Sequence, residues 1–500
     1  MQQGSWDKVE LSIQFHAMWL IAVLILVLAL LIFAYADTKK PHDFPPGPKC
    51  LPFIGCYLEF KKLMKQHKFM YRTLNIYHEK YGPIIGLRLG RRFLISVSGK
   101  DAVQEGLSRE EFDGRQRSFM VDHRTMGVRR GVIFTDGEEW KEQRRFALRN
   151  LRDLGLGKRS MESMIREEAL ELVSRLTEMG KKAGSEGVQM EKVYTIPVLS
   201  SLWTILSGQR YSQEDEKLKK FTGLVTTLSR LITSAGIETV EEHKKTKSDG
   251  EPRDFIDTYL DEMKKRDGEA SYFSGLYEKF SFKNVWSSEG QLIAICDDLF
   301  GAGTETTSYT LAFGVLFLLH HPDVQAKIHE ELDRVIGRDR FPTLDDKPNL
   351  PYLNAVIYEI RRCCNIVPMT VPHRCVRDTE FRGYTIPKEA SIIFNLWSLY
   401  MDRDYWGDPH VFRPERFLVP DESGGWKLKD EPSWLLTFGL GQRRCLGEPL
   451  ARASLYVFFS VISHGLRFKN PPGCPLPSTE GVQGFVAGTG PFKAVVEPRF

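Results

Sequence analysis

The 500-residue sequence lacks several patterns, and each absence excludes a class of protein. Basic residues number 69 and acidic residues 65, so the net charge of +4 provides no basic excess for binding nucleic acid. No internal repeat is present, which excludes solenoids and propellers. The cysteines form no CxxC pair, which argues against a zinc module or a disulfide framework and favours a reducing compartment. They occupy positions 50, 56, 296, 363, 364, 375, 445 and 474.

Charge is also missing from one long stretch near the N-terminus. Residues 11–36 contain no charged side chain, and residues 17–36 are almost purely apolar. An apolar helix of this length can cross the hydrocarbon core of a membrane. A cleaved signal peptide would begin with basic residues, whereas Asp7 and Glu10 outweigh Lys8 here. We therefore predict an uncleaved membrane anchor.

The chain that follows the anchor is basic and rich in proline. Lys39, Lys40 and Lys49 predict that this side of the anchor faces the cytosol, since basic residues beside a span stay cytoplasmic. Residues 45–48 (PPGP) cannot extend a helix and predict a stiff hinge. The predicted divisions are an anchor segment in 1–36, a hinge in 37–55 and one large catalytic domain in 56–500.

Periodicity predicts a mainly α-helical domain with a small β subdomain, an α+β fold. Residues 80–99 alternate between apolar and polar around Gly90, which predicts a hairpin. The charge-rich stretches 241–254 and 261–269 are predicted to be solvated loops or helix ends. Apolar residues at helical spacing predict helices over 161–179, 292–319 and 322–335.

One cysteine stands in an unusual environment. Residues 438–447 (FGLGQRRCLG) place glycines on both sides of Cys445, and an apolar, helix-forming run follows. Glycine lets backbone approach a flat cofactor closely, and a helix N-terminus stabilises a thiolate. Arg443 can pair with an anionic group of such a cofactor. The other seven cysteines are interpreted as core residues.

Two further pairs of polar residues lie at helical spacing, and the two members of a third pair are adjacent in the sequence. Glu359 and Arg362 lie on one face of a helix and can form an ion pair. An indole and a guanidinium, at Trp140 and Arg144, lie one turn apart, so both can donate to a carboxylate. Each pair alone is compatible with an ordinary amphipathic helix.

The third pair, Glu305 and Thr306, interrupts an otherwise apolar helix. Ser288 and Gln291 mark a capping box at the start of this helix. Two interpretations of the pair are open from the residues alone. Thr306 can bond back to a carbonyl one turn earlier while Glu305 reaches water at the surface, or both side chains can serve a buried site.

Taken together, these motifs resemble those of the cytochrome P450 family. Residues 438–447 match F-x-x-G-x-R-x-C-x-G at every fixed position, and residues 302–307 match A-G-x-[DE]-T-[TS]. The E-x-x-R and W-x-x-x-R motifs are also present, in the family's order. The anchor and hinge are similar to those of the microsomal type. The phrases at 112–115 (FDGR) and 134–137 (FTDG) resemble arthropod members of the clan that includes hormone-synthesising enzymes.

The resemblance implies a P450 fold that binds haem b through a cysteine thiolate. It implies that Thr306 hydrogen-bonds dioxygen and that Glu305 relays protons. The resemblance also implies a buried charge network with a structural role, in which Arg416 is the third partner of Glu359 and Arg362. The implied haem-site residues are Cys445 as iron ligand, with Trp140, Arg144, His373 and Arg443 at the propionates. Substrate-cavity candidates by position are Ile295, Ala302, Val367, Val371 and Phe485, each of which is equally compatible with plain core.

The implied activity is a monooxygenase that inserts one oxygen atom into a lipophilic small molecule by hydroxylation or epoxidation. A steroid, a terpenoid, a fatty-acid-like molecule or a xenobiotic is compatible with the sequence. Electrons are expected from NADPH through NADPH-cytochrome P450 reductase, with cytochrome b5 as a further candidate partner, at the endoplasmic reticulum membrane. A basic strip is a candidate docking face for the reductase; it comprises Lys141, Arg144, Arg145, Arg149, Arg152, Lys158 and Arg159.

The sequence departs from the family in two places. Residues 221–252 are too short for the helix pair that roofs the substrate cavity, and residues 275–288 look like an insertion. A spliced or mispredicted gene product is one hypothesis for this. Two alternative functions stay open: a haem-thiolate isomerase or dehydratase, and a non-catalytic membrane protein that binds haem or lipid. The presence of Glu305 and Thr306 argues against the isomerase, because such relatives tend to lose this pair.

Overall fold

The structure is a computed structural model, described in two compact units of the chain. One unit comprises residues 1–106 and 371–395, and the other comprises residues 107–370 and 396–500. The described residues are 3–117, 128–154, 159–210, 212–215, 234–248, 250–266, 272–273, 289–422, 424–482, 484 and 486–500.

Most of the described chain is helical. The helices are α1 Gln3–Asp37, α2 Tyr57–His67, α3 Met70–Tyr81, α4 Lys100–Leu107, α5 Gly137–Asp153, α6 Arg159–Ala183, α7 Thr195–Ser207, α8 Ser234–Thr246, α9 Phe255–Lys265, α10 Gly290–His320, α11 Pro322–Val335, α12 Pro351–Cys364, α13 Trp397–Tyr400, α14 Arg403–Trp406 and α15 Glu448–Gly465.

The strands are short. They are β1 Ile84–Leu89, β2 Arg92–Val97, β3 Gly114–Arg115, β4 Val188–Gln189, β5 His373–Arg374, β6 Thr379–Phe381, β7 Tyr384–Ile386, β8 Ser391–Phe394, β9 Leu418–Pro420, β10 Trp426–Leu428, β11 Leu466–Lys469 and β12 Lys493–Pro498.

The first unit contains the apolar helix and a small sheet. Within α1, the stretch Met18–Asp37 has a mean hydropathy of 2.9, and none of it is buried in the protein. Strands β1 and β2 form an antiparallel hairpin, with Gly90 in the left-handed region at the turn. The hairpin predicted from 80–99 is therefore confirmed. Strand β8 pairs with β2 in parallel and with β5 in antiparallel register.

The proline segment lies directly against this sheet. The Gly86 amide of β1 donates to the Pro46 carbonyl at 2.8 Å. A Cβ on Gly47 would lie 2.2 Å from the Gly86 carbonyl oxygen, so only glycine allows this approach. The segment predicted as a hinge thus has a fixed path along the strand.

The second unit is built around long apolar helices. Helix α10 packs against α7, α12 and α15, and α6 packs against α7 and α15. Buried leucine, isoleucine, valine and phenylalanine side chains from these helices form one continuous core. The three helices predicted from periodicity are confirmed, as parts of α6 and α10 and as α11. Strands β11, β12 and β4 form an antiparallel sheet in this unit.

The prediction for residues 241–254 is wrong in part. Residues 241–246 form the end of α8, in agreement with the prediction, but His243 and Asp254 are not solvated, since each is only 2% exposed. The ring of His243 pairs with Asp254 at 2.9 Å and also contacts the Thr239 carbonyl. Burial alone would lower the pKa of His243, but these bonds raise it. Pairing of opposite charges allows this charged stretch to be buried.

Candidate active site

The cysteine loop is closed by backbone contacts and leads straight into α15. The Cys445 amide donates to the Phe438 carbonyl at 2.8 Å. Gly441 has a φ of 71°, and a Cβ there would lie 2.0 Å from the Leu107 carbonyl oxygen. Any other residue at position 441 would push the loop away from this contact. Glycine therefore fixes the position of the loop.

The Cys445 side chain is surrounded by protein yet remains exposed. Burial raises the pKa of the Cys445 thiol, and Glu448 adds to that increase. The Gly447 amide, Arg144 and Arg444 lower it. Burial outweighs these three groups, so the pKa of the thiol is raised overall, and binding to a metal, which takes the ionised form, would release its proton.

Helix α5 brings Trp140 and Arg144 to this loop. The indole of Trp140 is 3% exposed, and its Nε1 atom has no hydrogen-bond partner within the described part of the chain. Arg144 donates from Nη2 to the Arg444 carbonyl, one residue before Cys445. The predicted pair and the cysteine loop are therefore in contact.

Arg443 lies with its guanidinium 3.5 Å above the Trp140 ring. It donates to the Thr135 carbonyl at 2.9 Å and, from two nitrogens, to the Asp113 carbonyl. Its Nη1 atom is buried, with no acceptor among the residues that the structure covers. Burial, together with neighbouring Arg115, lowers the pKa of Arg443 to about 8. A buried cation with a free donor favours an anionic ligand.

Helix α10 is buried along most of its length but has one exposed face near its middle. Ala302, Thr306 and Tyr309 lie on that face, four and three residues apart, and are exposed or half-buried. The Thr306 hydroxyl donates to the Ala302 carbonyl at 2.8 Å. Glu305 is buried, and burial raises the pKa of its carboxyl to about 7. Thr306 therefore bonds back to a carbonyl one turn earlier, as one interpretation predicted. The same interpretation expected Glu305 to reach water at the surface, and this part is wrong because Glu305 is buried.

The same helix holds the chain segment that leads into α5. Asp298 accepts from the amides of Val132 and Ile133 at 2.7 and 3.0 Å. Gln291 accepts from the Gly131 amide at 2.9 Å. The role of Asp298 was not predicted from the sequence, although a carboxylate within an apolar helix indicates a buried polar contact.

The predicted capping box at the start of α10 is wrong for Gln291. The helix begins at Gly290, and its cap residue Glu289 makes no side-chain capping bond. Gln291 bonds the distant Gly131 instead. Ser288 lies outside the described residues.

The three residues of the predicted charge network come together in the core. Glu359 and Arg362 are fully buried and form two hydrogen bonds of 2.7 and 2.8 Å. Arg416 donates to the same carboxylate at 3.0 Å. Arg362 also donates to the carbonyls of Tyr400 and Pro409, so the network ties α12 to the chain that precedes the cysteine loop.

The remaining predicted residues are more dispersed. His373 belongs to the first unit, where it is buried on β5 and packs edge-on against Phe394 at 5.2 Å. Ile295 is fully buried in the core of the second unit. Val367 and Val371 are half-buried, in different units. Phe485 lies outside the described residues.

The residues of the basic strip on α5 have different surroundings. Lys141 pairs with Glu138 at 2.8 Å, and Arg144 faces the cysteine loop. Three exposed arginines, at positions 145, 149 and 152, line a cleft of about 450 Å³. Lys158 and the side chain of Arg159 lie outside the described residues.

Comparison with known proteins identifies relatives along nearly the whole chain. The cytochrome P450 family model matches residues 45–239 and 232–496. Farnesoate epoxidase of Bombyx mori is 32% identical over 511 aligned positions, covering 95% of this chain and 98% of that protein. Cytochrome P450 2A13 of Homo sapiens is 34% identical, covering 89% and 91%, respectively. Cytochrome P450 2C41 of Canis lupus familiaris is also 34% identical, covering 88% and 91%.

The alignments also bear on the two departures from the family. The 511 aligned positions exceed the 500 residues of the chain, so the Bombyx mori protein carries residues with no counterpart here. The family match breaks at residues 232–239, inside the stretch predicted to be short. The first part of this stretch, 221–233, and the whole of the predicted insertion at 275–288 lie outside the described residues.

The expected fold class agrees with the helical architecture and small sheets of the structure. The relatives are cytochrome P450 enzymes, oxidoreductases that bind haem through a cysteine thiolate and act on lipophilic substrates. They use a redox-partner reductase, and the apolar N-terminal helix fits their membrane anchoring. The chain belongs to the cytochrome P450 family.

Proposed function

We propose that the chain is a haem-thiolate monooxygenase with Cys445 as the iron ligand. The observation that carries the proposal is the geometry around Cys445. An exposed thiol, fixed by a glycine-bounded loop, lies next to a cluster of buried donors that have no partner in the described chain. The isomerase alternative receives no support, since Glu305 is buried beside Thr306 on the helix that carries the family motif.

The residues present fit a haem. The two propionates of haem b are carboxylates, and the free donors on Trp140 and Arg443 are of the type that binds carboxylates. We assign Trp140, Arg144, Arg443 and His373 to the propionates. Bound through a thiolate, haem supplies oxygen activation, because the sulfur pushes electron density toward the iron. The protein supplies orientation and a fixed set of charges.

Glu305 and Thr306 would hold and transfer protons on the substrate side of the haem site. Because its pKa is about 7, the Glu305 carboxyl still holds a proton at neutral pH and can release it. The Thr306 hydroxyl donates its hydrogen to the Ala302 carbonyl, so its oxygen lone pairs are available as acceptors on the exposed face of α10. The Glu305 carboxyl can therefore hold and release a proton beside a hydroxyl that can accept a hydrogen bond.

Electrons would come from NADPH through NADPH-cytochrome P450 reductase, with cytochrome b5 as a second donor. The exposed arginines of α5 support a docking face for an acidic partner. The basic residues after α1 favour an orientation with the catalytic part in the cytosol at the endoplasmic reticulum. We retain the division into an anchor segment in 1–36, a hinge in 37–55 and a catalytic domain in 56–500.

We propose a lipophilic substrate that is hydroxylated or epoxidised. Farnesoate is the first molecule to test, because the relative named farnesoate epoxidase matches this chain over nearly its full length. Ala302, on the exposed face of α10, is the proposed cavity residue best placed to contact it. Val367 and Val371 are proposed to contribute further surface.

The direct test is incubation of the full-length membrane protein with reductase, NADPH, farnesoate and isotopically labelled dioxygen. The expected result is one labelled oxygen atom in an epoxide product, together with NADPH consumption that farnesoate stimulates. The same preparation of Cys445→Ala is the matched control and should form no labelled product. If farnesoate fails, a panel of steroids and fatty acids tests the reaction class. Absence of label from every product would contradict the monooxygenase assignment.

A further inference from the structure

Two arginines lie over the aromatic ring of Phe438, the residue that opens the cysteine loop. The guanidinium of Arg361 lies 4.9 Å from the centre of the Phe438 ring, and that of Arg452 lies 4.8 Å from it. Arg361, on α12, is only 3% exposed. Arg452 belongs to α15, so two different helices contribute to the arrangement. Guanidinium groups over a ring face attract it electrostatically, most strongly where water is excluded.

One carboxylate holds both arginines. Glu431 accepts from Arg361 at 2.7 and 3.2 Å and from both terminal nitrogens of Arg452. Burial would raise the pKa of Glu431, but the bonds from the two arginines outweigh it and lower the pKa. The carboxylate is therefore ionised at neutral pH. Bidentate pairing of this kind fixes the plane of a guanidinium as well as its position.

The charged chain continues to the residue beside the thiol. Arg452 also donates to Glu448 at 2.9 Å, and Glu448 accepts from Arg444 at 2.6 and 2.9 Å. Three arginines and two glutamates thus alternate from α12 to the neighbour of Cys445. Lys347 is a further cation near these side chains, and burial lowers its pKa. These three arginines and two glutamates together carry one excess positive charge.

We propose that Arg361 and Arg452, both fixed by Glu431, clamp Phe438 and thereby position Cys445 as a ligand. The link is the Phe438 carbonyl, which accepts the Cys445 amide at 2.8 Å. These three charged residues act through Phe438 and are positioning residues. The inference rests on the proposed function, because it assumes that Cys445 binds the haem iron.

The test uses the full-length haem-loaded protein with two spectroscopic readouts. The first is the rate at which the reduced carbon monoxide complex loses its thiolate-type spectrum. Loss should be about fivefold to tenfold faster in Phe438→Leu and in Glu431→Gln, since a clamp of two cation–ring contacts is released. The second is the reduction potential. Glu431→Gln removes a negative charge and should raise it by up to about 59 mV, a tenfold change for one electron.

Controls separate this inference from general loss of stability. Glu497→Gln breaks an exposed pair with Lys469 on β11 and β12, and both readouts should stay within about twofold of wild type. Arg452→Lys keeps the charge but lacks the flat guanidinium, so it should accelerate loss without shifting the potential. If the other variants do not fold, the rate at which Arg452→Lys loses the thiolate-type spectrum tests the proposal by itself.

The two possible failures are distinguishable. A wild-type protein without the thiolate-type spectrum would refute the proposed function. If the wild type shows that spectrum and Phe438→Leu and Arg452→Lys lose it no faster than Glu497→Gln, only the clamp is refuted.

Discussion

Individual side chains at the site are tuned by what surrounds them. Glu305 shows this most clearly, because an ordinary carboxyl is ionised at neutral pH, whereas burial raises the pKa of this one to about 7. A pKa near the working pH suits a group that must both hold and release a proton. Thr306, one residue later, is fixed by its bond to Ala302. The two side chains therefore support different experiments.

The pH dependence of coupling tests Glu305. As the pH rises through about 7, the protonated fraction of its carboxyl falls, so less proton is available for transfer. Product formed per NADPH should drop several-fold between about pH 6 and pH 8 in the wild type. Glu305→Gln cannot ionise and should give a low ratio that is flat across the range. The same slope in both proteins would remove Glu305 from the proton path.

Thr306→Ala tests the hydroxyl. Haem content should be unchanged, because Thr306 is not among the residues assigned to haem binding. Product per NADPH should fall by about 10-fold or more, with peroxide in its place, since proton transfer by a positioned group contributes at least that much. Thr307→Ala, at the next and buried position of α10, is the matched control. Coupling that is equal in the two variants would contradict the assignment.

At the scale of helices and strands, α10 organises the site because it carries the acid and threonine and also anchors the approach to α5. The anchor is Asp298, whose carboxylate accepts two amide hydrogens in the core. A buried acceptor with two donors facing it is costly to replace, because the donors are then unsatisfied. The segment it holds ends at Asp136, the cap residue of the helix that bears Trp140.

Asp298→Ala is therefore expected to destabilise the protein and weaken haem retention. Alanine leaves the amides of Val132 and Ile133 without the carboxylate oxygen that accepts both of them, at a cost of about 1 to 3 kcal/mol. The midpoint of thermal unfolding should fall by several degrees, and haem should dissociate faster when apomyoglobin is present as acceptor. Glu330→Gln, an exposed change on α11, should leave both values unchanged. Equal behaviour of the two variants would show that Asp298 does not anchor the site.

Local patterns predicted most elements, whereas contacts between distant residues were harder to predict. The hairpin and the long helices follow from periodicity within a single stretch. The pairing of His243 with Asp254, the contacts of Asp298 with Val132, and the bonds of Arg361 to Glu431 depend on tertiary packing. Motif spacing predicted the cysteine loop, Trp140 and Arg144, but it carried no information on how the loop is held.

At the scale of the whole molecule, the chain must reach a membrane and an electron donor. Helix α1 offers an apolar stretch of which none is buried in the protein, as expected of an anchor. The exposed arginines of α5 lie on the same helix as Trp140. A reductase bound at these arginines would contact an element that also reaches the cysteine loop.

Charge reversal tests this docking face. Arg149→Glu with Arg152→Glu should lower the rate of reduction by reductase about 10-fold or more at low salt, since steering by opposite charges is lost. Reduction of the wild type should slow as salt rises, because ions screen exposed charges. Reduction by dithionite, which needs no docking, should be the same in both proteins. A rate that is insensitive to both salt and charge reversal would exclude α5 as the docking face.

The central claim is that Cys445 is the haem-iron ligand. The carbon monoxide difference spectrum of the reduced protein tests it most directly, because the spectrum reports the atom bound opposite carbon monoxide. The wild type is predicted to show the thiolate-type spectrum, and Cys445→Ala is predicted to lose it, while Cys474→Ala, at another exposed cysteine, keeps it. A thiolate-type spectrum that persists in Cys445→Ala would contradict the account.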